Sequence, residues 1–131
     1  VPKPNFEDVK NQIFALTDCI DDGLVLSCHD IADGGIASTL SEMTFGNAIG
    51  CKVKIESELS TDKILFSETG GFILEVSSEN VEEIKSIFSN LGLDVFEVGT
   101  TGGIHIKING NVKLPVEKAK EAWTNGLRDK L

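Results

Sequence analysis

Near the start of the chain, apolar residues recur at intervals of three and four, the spacing of one helix face. They predict a helix that begins after Asn5, whose side chain can cap the first turn. Gly23 is expected to end this helix by adopting a left-handed conformation. The residues expected to face inward are Phe6, Val9, Ile13, Leu16 and Ile20.

Helical and strand patterns alternate along the rest of the chain. A short apolar run predicts a buried strand at residues 24–28, and a second helix is expected to begin at Gly34 and Gly35. Further helices are predicted at residues 81–91 and from Pro115 onward, and further strands at 51–55, 64–66, 72–76, 94–99, 104–108 and 112–114. This order predicts an α+β fold, in which a mixed β-sheet has helices packed mainly on one face.

Local signals add detail to several of these elements. Asn80 and Glu83 match a capping box at the start of a helix, and Asn109-Gly110 is a strong hairpin-turn signal. Residues 100–103 are expected to form a turn between strands. Two further sets are expected to face inward: Ile104, Ile106 and Ile108 on a strand, and Val116, Ala119 and Trp123 on the last helix.

Composition and charge narrow the class of protein. The 131 residues suit one domain; we expect residues 1–4 to be a linker from an upstream domain and residues 5–131 to form the domain. The net charge of −9 disfavours nucleic acid as a partner. No apolar run approaches the roughly 20 residues of a membrane span. Three cysteines without paired spacing indicate reduced thiols in a cytoplasmic protein.

The segment His29–Gly35 is the first candidate for chemistry. A strand ends there and a helix begins with two glycines, so free N–H groups at the helix N-terminus could bind phosphate. Asp30 and Asp33 could hold Mg²⁺ on a nucleotide, because Mg²⁺ prefers carboxylates together with phosphate oxygens. The residues alone favour a simpler interpretation, in which an aspartate caps a helix whose glycines allow close packing.

The segment Ser67–Gly71 is the second candidate. Its hydroxyls and backbone N–H groups could cradle a phosphate, although serine, threonine and glycine also form ordinary turns. Neither segment contains a nucleophile–base pair, a Walker loop or a zinc motif. We therefore predict no catalytic residue in this chain.

The stretch from Ser27 to Ala37 resembles the "HDxSxGGLA" signature of the phosphoribosylformylglycinamidine synthases, within the superfamily related to aminoimidazole ribonucleotide (AIR) synthase. Residues 65–71 resemble the same family's second motif, "LF-G/S-E-S-x-G-R". Residues 1–4 resemble the start of its last domain, and Glu121, Ala122, Trp123 and Leu127 resemble its extreme C-terminus. The chain is thus similar to a C-terminal domain of that family along nearly its whole length.

The resemblance implies part of an ATP-dependent ligase of purine biosynthesis. Such an enzyme converts formylglycinamide ribonucleotide, ATP and glutamine-derived ammonia to formylglycinamidine ribonucleotide. It implies ATP and Mg²⁺ as cofactors, held mainly by other domains, so the isolated domain is expected to be inactive. The implied partners are upstream ATP-binding domains of the same polypeptide, a glutamine amidotransferase subunit and a small accessory subunit, with no nucleic acid and no membrane.

The resemblance also implies site residues. Asp30 matches an aspartate that binds Mg²⁺ in the family's first, catalytic half, but this chain resembles the second half, in which the matching positions face a pseudo-symmetric site that is structural or auxiliary for nucleotide. The complete set of predicted nucleotide- or phosphate-binding positions of this pseudo-site is His29, Asp33, Gly34, Gly35, Ser67, Glu68, Thr69 and Gly70. Ala32 stands where the family often has serine, and Gly71 where it often has arginine, so a hydroxyl and a phosphate-binding cation are lost. Two alternatives stay open: a domain of another superfamily member such as aminoimidazole ribonucleotide synthetase, or a non-catalytic domain used in assembly.

Overall fold

The computed structural model describes residues 4–126 and residue 128. Its elements in chain order are α1 (Phe6–Asp21), β1 (Val25–Asp30), α2 (Gly35–Thr44), β2 (Cys51–Val53), α3 (Thr61–Leu65), β3 (Phe72–Val76), α4 (Val81–Asn90), β4 (Gly99–Thr101), β5 (His105–Ile108), β6 (Val112–Pro115) and α5 (Val116–Asn125). They form two compact units, one with the chain up to Cys28 and residues 74–97, the other with residues 29–73 and the chain from Val98 onward. Of the predicted linker at residues 1–4, residues 1–3 lie outside the described residues, and the predicted domain boundaries stay a prediction.

The first unit is built around the contact between α1 and α4. Asn5 caps α1 as predicted, accepting a hydrogen bond from the Glu7 N–H at 3.1 Å. The predicted inward face of α1 is largely wrong, because only Leu16 of the five residues is buried. The small residues Ala15 and Cys19 line the buried side instead, since they let α1 lie close to Ile84 and Phe88 of α4. Phe6, Val9, Ile13 and Ile20 are exposed.

Asn80 precedes α4, but the predicted capping box is not formed. The Asn80 side chain makes no cap hydrogen bond to its own helix. Its Nδ2 instead donates to the backbone carbonyl of Leu24 at 3.2 Å. The side chain therefore joins the start of α4 to the residue before β1, a tertiary contact that local sequence spacing does not reveal.

The second unit contains a four-stranded mixed sheet in the order β4-β2-β5-β6. β2 runs parallel to β5, whereas β4 and β6 pair antiparallel with their neighbours. One face of this sheet, α2 and α5 contribute to a single core, whose buried members are Leu40, Phe45, Cys51, Val53, Leu65, Ile106, Ile108, Val116 and Ala119. The predicted α+β class is confirmed. β1 and β3 pair in a separate two-stranded sheet.

The hairpin between β5 and β6 is confirmed, with Asn109 and Gly110 both at positive φ (51° and 73°). The Asn109 side chain also accepts a hydrogen bond from the Ile55 N–H at 2.7 Å, so this turn is attached to the end of β2. Asparagine and glycine are the residues that tolerate this conformation best.

Two predicted strands are wrong. Residues 64–66 belong mostly to the short helix α3, in which the neighbours Ile64 and Leu65 are both buried. A short apolar run does not distinguish a strand from a buried helical turn. Residues 94–98 are irregular, and the strand lies later, at Gly99–Thr101, so that it includes two residues of the stretch 100–103 that was expected to be a turn.

Two predicted core positions are also wrong. Ile104 precedes β5 and is exposed, unlike Ile106 and Ile108. Trp123 is exposed over 64% of its surface, and its ring lies 5.7 Å from the Phe45 ring at the rim of the core. Both residues lie near the end of a regular element. The apolar spacing in the sequence therefore extends beyond the part of the element that packs on the core.

None of the helices among the described residues is long and apolar enough to cross a membrane.

Candidate functional site

β1 leads into the candidate site with an alternating pattern of burial. His29 lies on the more buried side of the strand, whereas Cys28 and Asp30 are exposed. The strand continues through Asp30, two residues beyond its predicted end at residue 28, so His29 and Asp30 belong to a hydrogen-bonded element. The backbone therefore restricts both side chains more than a loop would.

Both ring nitrogens of His29 face oxygen atoms. Nδ1 lies 2.7 Å from the backbone carbonyl of Asp30 and 3.2 Å from its carboxylate, and Nε2 lies 3.4 Å from the Glu42 carboxylate. A doubly protonated ring can donate at both positions, whereas a neutral ring can donate at only one. The Asp30 carbonyl, followed by the Glu42 carboxylate, raises the pKa of His29 above 6.5. This geometry favours imidazolium.

The backbone carbonyl of Asp30 has a second neighbour, Thr39 of α2. The Thr39 hydroxyl is buried and lies 3.0 Å from the Asp30 carbonyl and 3.1 Å from the Gly35 carbonyl. Because Thr39 lies on α2, it fixes the end of β1 against the first turn of that helix. Thr39 and Glu42 were not predicted as site residues, since only the tertiary structure brings them to β1.

Gly34 and Gly35 begin α2, and both have positive φ (81° and 62°). At Gly35 an added Cβ would lie 2.7 Å from the Leu65 carbonyl oxygen and 2.8 Å from the Ser67 carbonyl oxygen. Backbone oxygen atoms cannot move aside as a flexible side chain can. Gly35 therefore allows the close packing of the helix start, which is the interpretation that the residues alone favoured.

Two hydrogen bonds join the two candidate segments. The Ile31 N–H donates to the Gly71 carbonyl at 2.8 Å, and the Gly34 N–H donates to the Glu68 carboxylate at 2.9 Å. Gly34 is the N-cap of α2 and has no side chain, so Glu68 supplies the cap from the other segment. A carboxylate at this end of a helix is stabilised by the helix dipole.

The structure brings the predicted site residues together but leaves most of them on the surface. Asp30, Asp33, Thr69 and Gly70 are exposed, and Ser67 is half-buried. The Gly34 N–H, where a phosphate could bind, already has a carboxylate partner. The site thus consists of two joined loops in which the Gly34 N–H already donates to a carboxylate.

The fit for Mg²⁺ is incomplete within this chain. Among the residues that the structure describes, no three His, Cys, Asp or Glu side chains are grouped so as to hold a metal ion. The Asp30 carboxylate is 64% exposed and lies beside the His29 ring. Since Mg²⁺ accepts one or two carboxylates together with phosphate oxygens, Asp30 could contribute one ligand to a nucleotide-bound ion.

Comparison with known proteins identifies the family. The profile described as AIR synthase related protein, C-terminal domain, matches residues 1–108. The chain belongs to this family. The resemblance expected from the two motifs is thereby confirmed.

Several relatives are much longer than this chain. It is similar to the phosphoribosylformylglycinamidine synthase subunit PurL of Methanothrix thermoacetophila, at 34% identity over 135 residues that cover 98% of this chain and 18% of that protein. PurLQS from Thermotoga maritima shares the fold, with a TM-score of 0.78 at 21% identity over 89% of this chain and 22% of the other. T. maritima PurL complexed with ATP gives a TM-score of 0.72 at 21% identity over 84% and 21%. The chain spans about a fifth of each relative.

Gly35→Ala tests the close packing at the start of α2. We expect a loss of about 2–4 kcal/mol in the free energy of unfolding, because positive φ and the carbonyl contacts both oppose a Cβ. Gly110→Ala is the matched control, since Gly110 has positive φ (73°) with open space around it. It should cost about 1 kcal/mol. If urea denaturation showed the same loss of unfolding free energy for both variants, the close contact of Gly35 with the Leu65 and Ser67 carbonyls would be contradicted.

Glu68→Gln tests the cap that joins the two segments. Removing the charge should lower the free energy of unfolding by about 0.5–1 kcal/mol, because the carboxylate interacts with the helix dipole and the Gly34 N–H. Glu58→Gln removes the same charge from an exposed position that makes no contact in the described residues, and should change stability by less than about 0.5 kcal/mol. A Glu68 variant as stable as the control would exclude a capping role.

His29 should make stability depend on pH. Its pKa is raised in the folded state, so its stabilisation is fully present below the unfolded value of 6.5 and is lost as pH rises through the folded pKa. The difference in unfolding free energy between the native chain and His29→Gln should therefore be larger at pH 5.5 than at pH 8.5. NMR titration should place the His29 pKa above 6.5, with a decrease in Glu42→Gln and none in Glu58→Gln. A His29 pKa at or below 6.5 would contradict the contacts of its ring with the Asp30 carbonyl and the Glu42 carboxylate.

Proposed function

We propose that this chain is the C-terminal domain of a cytoplasmic, ATP-dependent ligase that makes formylglycinamidine ribonucleotide for purine biosynthesis. The support is the similarity to phosphoribosylformylglycinamidine synthase subunits along 97–98% of the chain. Because the chain spans about 18% of these relatives, the remaining machinery would belong to the rest of such a polypeptide. The substrates would be formylglycinamide ribonucleotide, ATP and glutamine-derived ammonia.

The proposed role of the site is auxiliary. ATP, when bound, supplies the phosphoryl group that activates the amide oxygen of the substrate for displacement by ammonia. In this chain Asp30 would contribute a carboxylate to Mg²⁺, and Ser67, Thr69 and Gly70 would offer hydroxyl and N–H groups to phosphate. Their exposure at the two joined loops supports this role, and T. maritima PurL, which shares the fold, is described in complex with ATP.

The contact between Glu68 and Gly34 carries the proposal that this domain is not itself a catalytic unit. The Glu68 carboxylate accepts from the N–H at the start of α2, so a phosphate there would have to displace a bound negative charge. Gly71, at φ 125°, also provides no cation for phosphate. His29, Gly34, Gly35 and Glu68 would then maintain the shape of the loops, and Asp33 would stay exposed beside them.

Other subunits are the proposed partners. A structural neighbour is a PurLQS assembly from T. maritima, which supports association with further chains. We propose ATP-binding domains of the same polypeptide, a glutamine amidotransferase subunit and a small accessory subunit. A chain with a net charge of −9 is a poor partner for nucleic acid.

A second candidate is the C-terminal domain of aminoimidazole ribonucleotide synthetase, since the matched family is described as AIR synthase related. A third is a non-catalytic assembly domain, which the occupied helix start also permits. The gene sequence upstream of the first residue separates the three. Two pairs of ATP-binding and C-terminal domains would support the first, one pair the second, and no ATP-binding domain the third.

The activity test compares this chain with the longer polypeptide that its gene encodes. The longer polypeptide with ATP, Mg²⁺, formylglycinamide ribonucleotide and ammonium should form formylglycinamidine ribonucleotide, detected by mass spectrometry. The 131-residue chain alone should neither form product nor hydrolyse ATP. ATP hydrolysis by the chain alone, abolished in Asp30→Ala, would contradict the auxiliary role, and a longer polypeptide without this product would contradict the proposed reaction.

A further inference from the structure

The register of the four-stranded sheet places three lysines side by side. Lys52 of β2 pairs with Lys107 of β5, and Lys107 pairs with Lys113 of β6. Thr100 of β4 extends the same row on the other side of Lys52. Paired residues project from the same face, and neighbouring strands lie about 4.8 Å apart. We call Lys52, Lys107 and Lys113 the lysine row.

The lysine row lies on the face of the sheet that does not pack on the core. Its members are exposed, whereas Cys51, Val53 and Ile106, which alternate with them, are buried. The alternation follows from the pleat of a strand, because successive side chains project to opposite faces. The row is therefore the outer surface of the same strands that form the core.

Like charges directly opposite one another on neighbouring strands are destabilising. Within the part of the chain that the structure describes, no carboxylate forms an ion pair with any member of the lysine row. Lysine protects an edge strand from aggregation, which accounts for Lys113 on β6. It does not account for Lys52 and Lys107, because β2 and β5 are the two inner strands.

Three adjacent lysines are unusual in a chain that is acidic overall. The chain has 21 acidic and 12 basic residues, so most of its surface repels anions. The lysine row is a local region of positive charge on a chain whose net charge is negative. A small anion can lie on the row itself, whereas a long polyanion would also meet the acidic surface beyond it.

An open depression of roughly 780 Å³ lies over the same face. Its lining includes Lys52 and Lys107, together with the hydroxyl residues Thr100 and Ser57. Glu56 also lines it, but its carboxylate is paired with Lys54 at 2.6 Å. Ammonium groups and hydroxyls are donors that phosphate oxygens accept from readily. The volume is in the range of small-molecule sites.

We propose that this face of the sheet binds a compact, multiply charged phosphate compound, either an oligophosphate or a phosphate ester with more than one charge. Lys52 and Lys107 contact it, Thr100 donates a hydroxyl hydrogen bond, and Lys113 adds charge at the end of the row. The site is distinct from the loops at His29–Gly35 and Ser67–Gly71, and it does not depend on the ligase activity proposed above.

The test is calorimetry of the 131-residue chain with inorganic tripolyphosphate. Lys52→Gln/Lys107→Gln should weaken binding at least tenfold. Lys63→Gln/Lys118→Gln is the matched control, because it removes two exposed lysines elsewhere on the same unit and lowers the net charge equally. The control should change the affinity less than twofold. Lys52→Arg/Lys107→Arg, which keeps both charges, should retain binding within threefold.

The proposal is overturned by no binding of millimolar tripolyphosphate to the native chain, by equal weakening in the two double variants, or by tighter binding of a single-stranded RNA 12-mer through the same lysines. The last result would assign the face to nucleic acid. Thermal melting controls for folding, since loss of repulsion should leave the melting temperature of Lys52→Gln/Lys107→Gln unchanged or raised. The single variants Lys107→Gln and Lys113→Gln should each weaken binding at least twofold, and unchanged affinity in both would also overturn it.

Discussion

The close approach of Gly35 to the backbone carbonyls of Leu65 and Ser67 is the constraint on which the candidate site depends. Only a residue without a Cβ lets the first turn of α2 lie against that backbone. Once it does, Glu68 reaches the Gly34 N–H and Ile31 reaches the Gly71 carbonyl. Leu40 of α2 and Leu65 then share one core, so the same approach connects the loops with the packing of the unit.

This arrangement changes how the two polar segments are interpreted chemically. A helix start with free N–H groups attracts anions, but here an internal carboxylate already satisfies one of them. His29 is held between the Asp30 carbonyl and Glu42, and Thr39 approaches the same carbonyl. Polar groups that a ligand could use are therefore used by the protein itself. This internal use of the polar groups supports the proposed auxiliary role of the domain.

The four-stranded sheet serves two purposes because its strands alternate. Ile106 and Ile108 bury one face against α2 and α5, and Lys107, between them in sequence, belongs to the opposite face. The register that pairs Ile106 with Cys51 also places Lys107 beside Lys52. A slip of one residue would exchange the faces, so core packing itself maintains the lysine row. The same strand register therefore determines both the packing of the core and the positions of the surface lysines.

The sequence by itself determined the α+β class, the extent of α1, the start of α2 and the hairpin at Asn109-Gly110, because spacing, caps and glycine chemistry act over a few residues. It also determined the family, through the two motifs. The tertiary structure alone decided that residues 61–65 form a helix, that Phe6 and Trp123 are exposed, and that Asn80 bonds Leu24 instead of capping α4. It alone brought Glu68 to Gly34 and aligned the lysine row. These features depend on contacts between residues that are far apart in the chain. The spacing of apolar residues shows that one face of an element is apolar, but it does not show which other element covers that face.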